Sequence, residues 1–322
     1  MVGIDFHQLL TFEPQQSWHL GIAIYLFLGG LGGAMGFLAA VNHLIFKNRD
    51  PVMHFWGVLL GILLVNFGAI FLLLHMLQPF KFILATFGAI VFNGNFHPWI
   101  LWGADIIILF STFGILWALT YVKEVPGLKK IGFLVALSEK LKGFENALAW
   151  LTFIFGIGAF TYTGFLLSVA PSIPAWSHPL VPILFAVSAL STATAYYMLY
   201  TFLFKGRSEE ERQKRDWWSL FNEKLDITLI VAELIILGSY FNYLYYATAG
   251  GKYVFEKVMG DIGFWVLFMF LGLIVPLVLE IVAVRKHVKI LIPVAAILVI
   301  FGGFLLRYYI LHYGIYTYPW PS

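Results

Sequence analysis

The sequence predicts an all-α protein, a polytopic transmembrane bundle of about eight helices. Three observations carry this. Hydrophobic residues make up 61% of the 322 residues and charged residues only 11%, against roughly 25% charged in a water-soluble domain. Apolar stretches of the roughly 20 residues that a bilayer crossing needs recur eight times. Lysine and arginine concentrate in every second link between those stretches, as they do in polytopic membrane proteins. A protein this poor in charge cannot cover a water-facing surface, so lipid is its solvent over most of its area.

The predicted spans are residues 18–46, 53–77, 99–122, 144–170, 180–204, 225–249, 260–284 and 290–313. They are too long for strands and lack the alternation of a membrane barrel. They divide into two four-helix bundle-like halves. The stretch 81–93 is apolar but short and lies between Pro79 and Pro98, so it reads as a half-helix or re-entrant segment. Residues 1–322 form a single integral membrane domain, with 1–17 as an outer N-terminal segment, 18–313 as the bundle and 314–322 as an outer tail. Segment 1–17 holds Asp5 and Glu13, no basic residue and no apolar core, and is not read as a signal peptide. The longest polar links are 123–143 and 205–224.

Orientation follows from the basic residues. Sixteen of the twenty lie in the links after spans one, three, five and seven, while Lys81, Lys252 and Lys257 lie on the other side. The basic links are therefore expected in the cytoplasm and both termini outside. Trp18, Trp99, Trp176, Trp265 and Trp320 then fall near the outer interface, as an aromatic belt does. No nucleic-acid partner is expected.

Ionisable residues inside a span are costly and invite a functional reading. Depth sorts them. His19, His75, Asp105, Tyr162, Thr163 and Arg307 fall in the outer half, and Glu233 and Glu280 in the inner half. The plain alternatives are interfacial anchoring for His and Tyr, snorkelling for Arg307, water contact for Glu233, and pairing of Glu280 with a residue of the next link such as Arg285. Asp105 has a short side chain and lies too far into its span to snorkel. Carboxylates at successive depths form a proton relay where waters bridge them, with Asn66, Ser188, Thr192 and Ser239 as polar positions between. Gly29, Gly30, Gly32, Gly33 and Gly36 crowd the first span and predict close helix packing.

With no cysteine the protein holds no disulfide and no iron–sulfur cluster of its own, and no metal site is expected. Two other classes share this composition. A haem-carrying cytochrome needs facing axial ligands, yet no span carries two of the nine histidines three or four turns apart on one face. A secondary transporter uses paired broken helices and a mid-depth site, whereas the polar groups here lie off-centre.

Several blocks resemble the NrfD/polysulfide reductase membrane-subunit family. Tyr25-Leu26-Phe27-Leu28-Gly29-Gly30-Leu31-Gly32-Gly33 is similar to its first-helix motif. The stretch from Leu74 to Phe82 is similar to the motif after its second helix, with departures at Met76 and Gln78. Tyr162-Thr163-Gly164-Phe165, then Pro174, Trp176 and Ser188-Ala189-Leu190-Ser191-Thr192, look like its fourth and fifth helices, and Leu306-Arg307-Tyr308 like its last. The resemblance implies a haem-free bundle of eight or nine helices that anchors a partner with four iron–sulfur clusters and a molybdopterin catalytic subunit. It implies menaquinone or ubiquinone bound near the outer surface. By the same resemblance the quinone meets an amide and a histidine at the start of the first helix and a tyrosine in the fourth. Gln16, His19 and Tyr162 match these, with Gln where the family has Asn. The predicted quinone site is therefore Gln16, His19, Tyr162, Thr163, Gly164 and Arg307, with His19, Tyr162 and Asp105 handling protons and Glu233 and Glu280 on a path from the inner side. Orientation alone puts His19, Tyr162, Asp105 and Arg307 at one depth, and His and Tyr supply the donors and proton carriers a quinone head needs.

Overall fold

The structure is a computed structural model. It describes residues 11–18, 20–75, 99–206, 208–286 and 288–318. Among them eight helices are long and apolar enough to cross a membrane, and the molecule is a multi-pass membrane protein. The crossings are α1 (Leu20–Leu44), α2 (Pro51–His75), α3 (Trp99–Leu119), α5 (Glu145–Ser168), α6 (Leu180–Leu203), α7 (Glu209–Ala247), α9 (Phe264–Lys286) and α10 (Leu291–His312). The short helices α4 (Gly132–Leu141) and α8 (Ala249–Gly260) lie in links. The segment predicted to re-enter the membrane, 81–93, lies outside the described residues.

The crossings pack as two halves. Helices α1, α2, α3 and α5 contact one another, and so do α6, α7, α9 and α10. Helix α1 also touches α6 and α10, and it is the most deeply buried of the eight. Its glycines permit this. A Cβ on Gly32 would lie 2.2 Å from the Gly61 carbonyl oxygen of α2, so the two backbones touch, the geometry that small residues allow inside lipid.

Strand β1 (Thr11–Pro14) pairs antiparallel with β2 (Ile315–Tyr318). Both described ends of the protein therefore meet at one face, as an even number of crossings requires. The opposite face carries the basic links, and ion pairs tie it together. Arg49 bridges Glu124 and Glu145, and Lys142 reaches both. The firmest link is Asp50 with Arg215. Arg215 Nε donates to Oδ2 at 2.5 Å and Nη2 to Oδ1 at 3.1 Å, with both residues buried. Arg215 Nη1 also donates to the Phe204 carbonyl at 2.8 Å. Burial pushes the Asp50 carboxyl up, but Arg215 and the Met53 amide outweigh it and hold it below the usual carboxylate range. This pair fastens the link after α1 to α7, and so one half to the other.

Helix α7 departs from the sequence expectation. It is 39 residues long and starts well before residue 225. The link 205–224, expected as a polar connection, is largely helical. Ser208 accepts from the Glu211 amide at 3.1 Å as the N-cap, three glutamates fill the first turn, and Lys214 pairs with Glu210 one turn away. These are strong helix-start signals, but hydropathy reports only where a helix enters lipid. In α9 the stretch Phe264–Ile274 is wound as a π-helix ahead of Pro276. The wider winding fits a region where proline withholds a backbone donor.

Candidate functional site

At the face bearing the paired strands β1 and β2, a cavity of about 400 Å³ lies between the start of α1, the start of α3 and the end of α5. Trp18, Trp99, Trp176 and Tyr316 line it, together with Gln15 and Leu166. Trp18 stacks on Trp176 at 5.2 Å and Trp99 on Phe165 at 5.1 Å. Gln15 folds the segment before α1: its amide nitrogen donates to the Trp18 carbonyl and its oxygen accepts from the Trp18 amide, each at 2.7 Å. Aromatic walls with one amide suit a flat ring carrying a few polar atoms. A larger groove of about 840 Å³ lies at the basic face, lined by leucines and Trp56. Two of its four charged residues, Arg215 and Glu124, are engaged by Asp50 and Arg49.

Beneath the cavity, one turn from Leu166, sits Tyr162. It is 2% exposed, and its neighbour Tyr25 of α1 is 1% exposed. The two hydroxyls lie close enough to interact, yet neither makes a hydrogen bond of normal geometry among the described residues. A buried hydroxyl without a partner is uncommon, and a phenol can both donate and accept. Gly103 of α3 leaves room for the Tyr162 ring: a Cβ there would lie 1.8 Å from Cζ.

A polar column descends from this pair. Thr163 packs against Gly29 and Gly30, and a Cβ on Gly30 would sit 3.4 Å from Arg307 Nη2. Arg307 of α10 is fully buried. Its Nη1 donates to Ser188 Oγ at 2.6 Å and to the Gly303 carbonyl at 2.7 Å, and Nη2 to the Phe185 carbonyl at 2.9 Å. Glu233 of α7, 2% exposed, faces Ser188 and Arg307. Further toward the basic face, Asp226 accepts from Ser191 Oγ at 2.5 Å and faces Glu280 of α9. Glu223 follows, 6% exposed, on the wall of a second cavity of about 450 Å³. Tyrosine, arginine and carboxyl groups thus succeed one another from one face toward the other.

The family model for polysulphide reductase, NrfD, matches residues 9–319. The protein belongs to the NrfD family. It is 28% identical over 311 residues to the C subunit of polysulfide reductase from Wolinella succinogenes, an alignment that takes in 92% of this sequence and 94% of that one. The NrfD homolog of Haemophilus influenzae is 26% identical, with 98% of both sequences covered. NrfD of Escherichia coli is 25% identical, with 93% and 95% covered.

Within this NrfD-family bundle the residues expected from sequence separate. Tyr162, Thr163, Arg307, Glu233 and Glu280 all stand on or beside the buried column. Arg307 does not snorkel. Glu280 does not pair with Arg285; both its oxygens lack a donor among the described residues. His19 lies outside the described residues. Gln16 is exposed, and the amide that lines the cavity is that of its neighbour Gln15. Gly164 serves packing, since a Cβ there would lie 2.4 Å from Pro182 Cα. Asp105 is half-buried on α3 with no bonded partner among the described residues. Ser188 and Thr192 line the column, whereas Ser239 is exposed and Asn66 bonds to Ser111 and the Ile62 carbonyl. Sequence reasoning missed Tyr25, Asp226 and Glu223. A signal for Asp226 was present: a seven-residue spacing to Glu233 puts both on one helix face.

Proposed function

We propose that this NrfD-family protein is the quinol-reactive membrane anchor of a molybdopterin oxidoreductase of the sulfur or polysulfide reductase type. It lies in a prokaryotic inner membrane with both termini outside. The substrate is menaquinol, or ubiquinol, with its head in the aromatic cavity. Oxidation of quinol yields two electrons and two protons. The electrons pass to an iron–sulfur subunit docked at the same face and on to the molybdopterin catalytic subunit, or travel in reverse.

The observation that carries this reading is the buried Tyr25–Tyr162 pair, one helical turn from Leu166 in the cavity wall, with neither hydroxyl in a normal hydrogen bond among the described residues. A phenol both donates and accepts, so Tyr162 with Tyr25 takes a proton from a quinol hydroxyl or returns one to a carbonyl. His19 and Gln16 precede α1 and belong to the same proposed site. Gln15 holds Trp18 in the cavity wall, and the aromatic rings exclude water from the reacting head. Arg307 places a fixed positive charge below, which favours negative charge on the oxygens above it. Glu233 and Glu280 carry protons between this site and the basic face, while Asp105 offers an exit near the outer surface.

The test uses the assembled complex in membranes. Tyr162→Phe removes one hydroxyl and little volume. Quinol turnover falls, while a soluble dye donor to the catalytic subunit still works. Unchanged quinol kinetics in Tyr162→Phe, Tyr25→Phe and His19→Ala together would remove the assignment.

A further inference from the structure

Asp226 and Glu280 present a chemical problem that their surroundings do not resolve. Both are fully buried. Asp226 Oδ1 is bonded to Ser191 Oγ, but Asp226 Oδ2 and both Glu280 oxygens meet no donor among the described residues. The two carboxyl groups nevertheless face each other closely enough to interact. Two ionised carboxylates are acceptors only and repel strongly where water is absent. A single proton between them removes the repulsion and supplies the missing donor, as in other buried carboxylate pairs.

The surroundings assign that proton. Ser191 donates to Asp226, which favours charge there, while Glu280 has no donor and takes the proton, donating it to Asp226 Oδ2. Access comes from the basic face. Glu223 stands one turn before Asp226 on α7 and accepts from Ser219 Oγ at 3.2 Å. It lines the 450 Å³ cavity, whose rim carries Lys205, Arg212, Arg215 and Lys289. Arg215 is neutralised by Asp50, and Lys289 pairs with Asp216. Ser191 and Thr194 face Asp226, and Glu233 lies further toward the other face, beside Ser188 and Arg307.

We propose that Asp226 and Glu280 form a carboxyl dyad that stores one proton, loaded through Glu223 from the cavity at the basic face. The dyad is the entry store of the proton path in the function proposed above. Loading moves a proton from Glu223 to the dyad, Glu223 regains one from water in the cavity, and nothing is oxidised or reduced. The dyad's existence does not depend on quinone; only its service to quinol chemistry rests on that reading.

The test is infrared spectroscopy of the full-length protein in lipid vesicles, without partner subunits or quinone. The wild type is expected to show a protonated-carboxyl band that shifts on transfer to deuterium oxide. The band disappears in Glu280→Gln, changes frequency in Asp226→Asn, where Glu280 keeps its proton but loses the carboxylate that accepts it, and persists unchanged in Glu233→Gln and Tyr162→Phe. Glu223→Gln, at the cavity wall, keeps the band but slows its deuterium shift several-fold, which covers the case in which a dyad variant fails to fold. A wild type without the band overturns the proposal, as does a band that survives Glu280→Gln, a band unaltered by Asp226→Asn, or an unslowed shift in Glu223→Gln. Loss of the band on adding sodium chloride, but not choline chloride, also overturns it and makes the pair a sodium site. Intact infrared behaviour with normal quinol turnover in the tyrosine variants would refute the quinone reading alone.

Discussion

Arg307 Nη1 donates to Ser188 Oγ across 2.6 Å, joining α10 to α6 at a point where both residues are buried. The guanidinium thus has its forks engaged by one hydroxyl and two carbonyls, with Glu233 as its counter-charge. A buried charge is tolerated only when it is paired and hydrogen-bonded in this way.

Removing one partner is therefore expected to be severe. Arg307→Met leaves Glu233 as an uncompensated buried charge, a loss of about 3–5 kcal/mol. Arg307→Met with Glu233→Gln recovers much of it. Thermal unfolding of the purified subunit in detergent checks this. A double variant as unstable as the sum of the two singles would show that the groups do not interact.

Gly103→Ala tests the seat of Tyr162. The added methyl would lie 1.8 Å from Tyr162 Cζ, so the ring must shift. Overpacking of this kind costs about 1–3 kcal/mol. Quinol turnover is expected to drop more than dye-linked activity. Equal turnover in Gly103→Ala and wild type would separate Tyr162 from the quinone site.

Glu233→Gln in sealed vesicles of the complex separates electrons from protons. With the proposed path, quinol oxidation continues while proton movement from the basic side is lost. If both rates match wild type, the path through Glu233 is wrong and protons exchange at the outer face through Asp105 or His19.

The charge asymmetry predicts a topology. Reporter fusions at Lys130, Lys214 and Lys286 are expected to read cytoplasm, and one at Gly251 outside. A cytoplasmic reading at Gly251 would reverse the bundle and put the aromatic cavity on the inner face.

Asp50 gives stability a defined acid limb. Its carboxyl is held below the usual range by Arg215 and the Met53 amide against the opposing effect of burial. Stability from such a group is full above its unfolded value of about 4 and fades as pH falls through the lower folded value. Asp50→Asn is thus expected to lower the unfolding midpoint at neutral pH. The gap between variant and wild type should close in strong acid. A gap independent of pH would assign the loss to packing instead.

The crossings, their number and the two faces of the molecule were legible in the sequence alone. Each span satisfies its own backbone hydrogen bonds, so a helix such as α2 or α10 is specified by its own residues without reference to neighbours. The basic links are likewise a one-dimensional pattern. The paired termini, through Thr11–Pro14 and Ile315–Tyr318, agree with the even count that this pattern gives. Tyr162, Arg307 and Glu233 could be singled out because a polar group in an apolar span is costly wherever it points. Which groups meet was decided only by the tertiary structure. A helix apolar on every side carries no mark of its rotation, so the sequence left Arg307 free to snorkel and Glu280 free to seek Arg285. Packing turned both inward, Arg307 onto Ser188 and Glu280 onto Asp226. Asp226 itself was hidden at the edge of a predicted span, because hydropathy cannot see that α7 is already helical there and presents Glu223, Asp226 and Glu233 along one buried stripe.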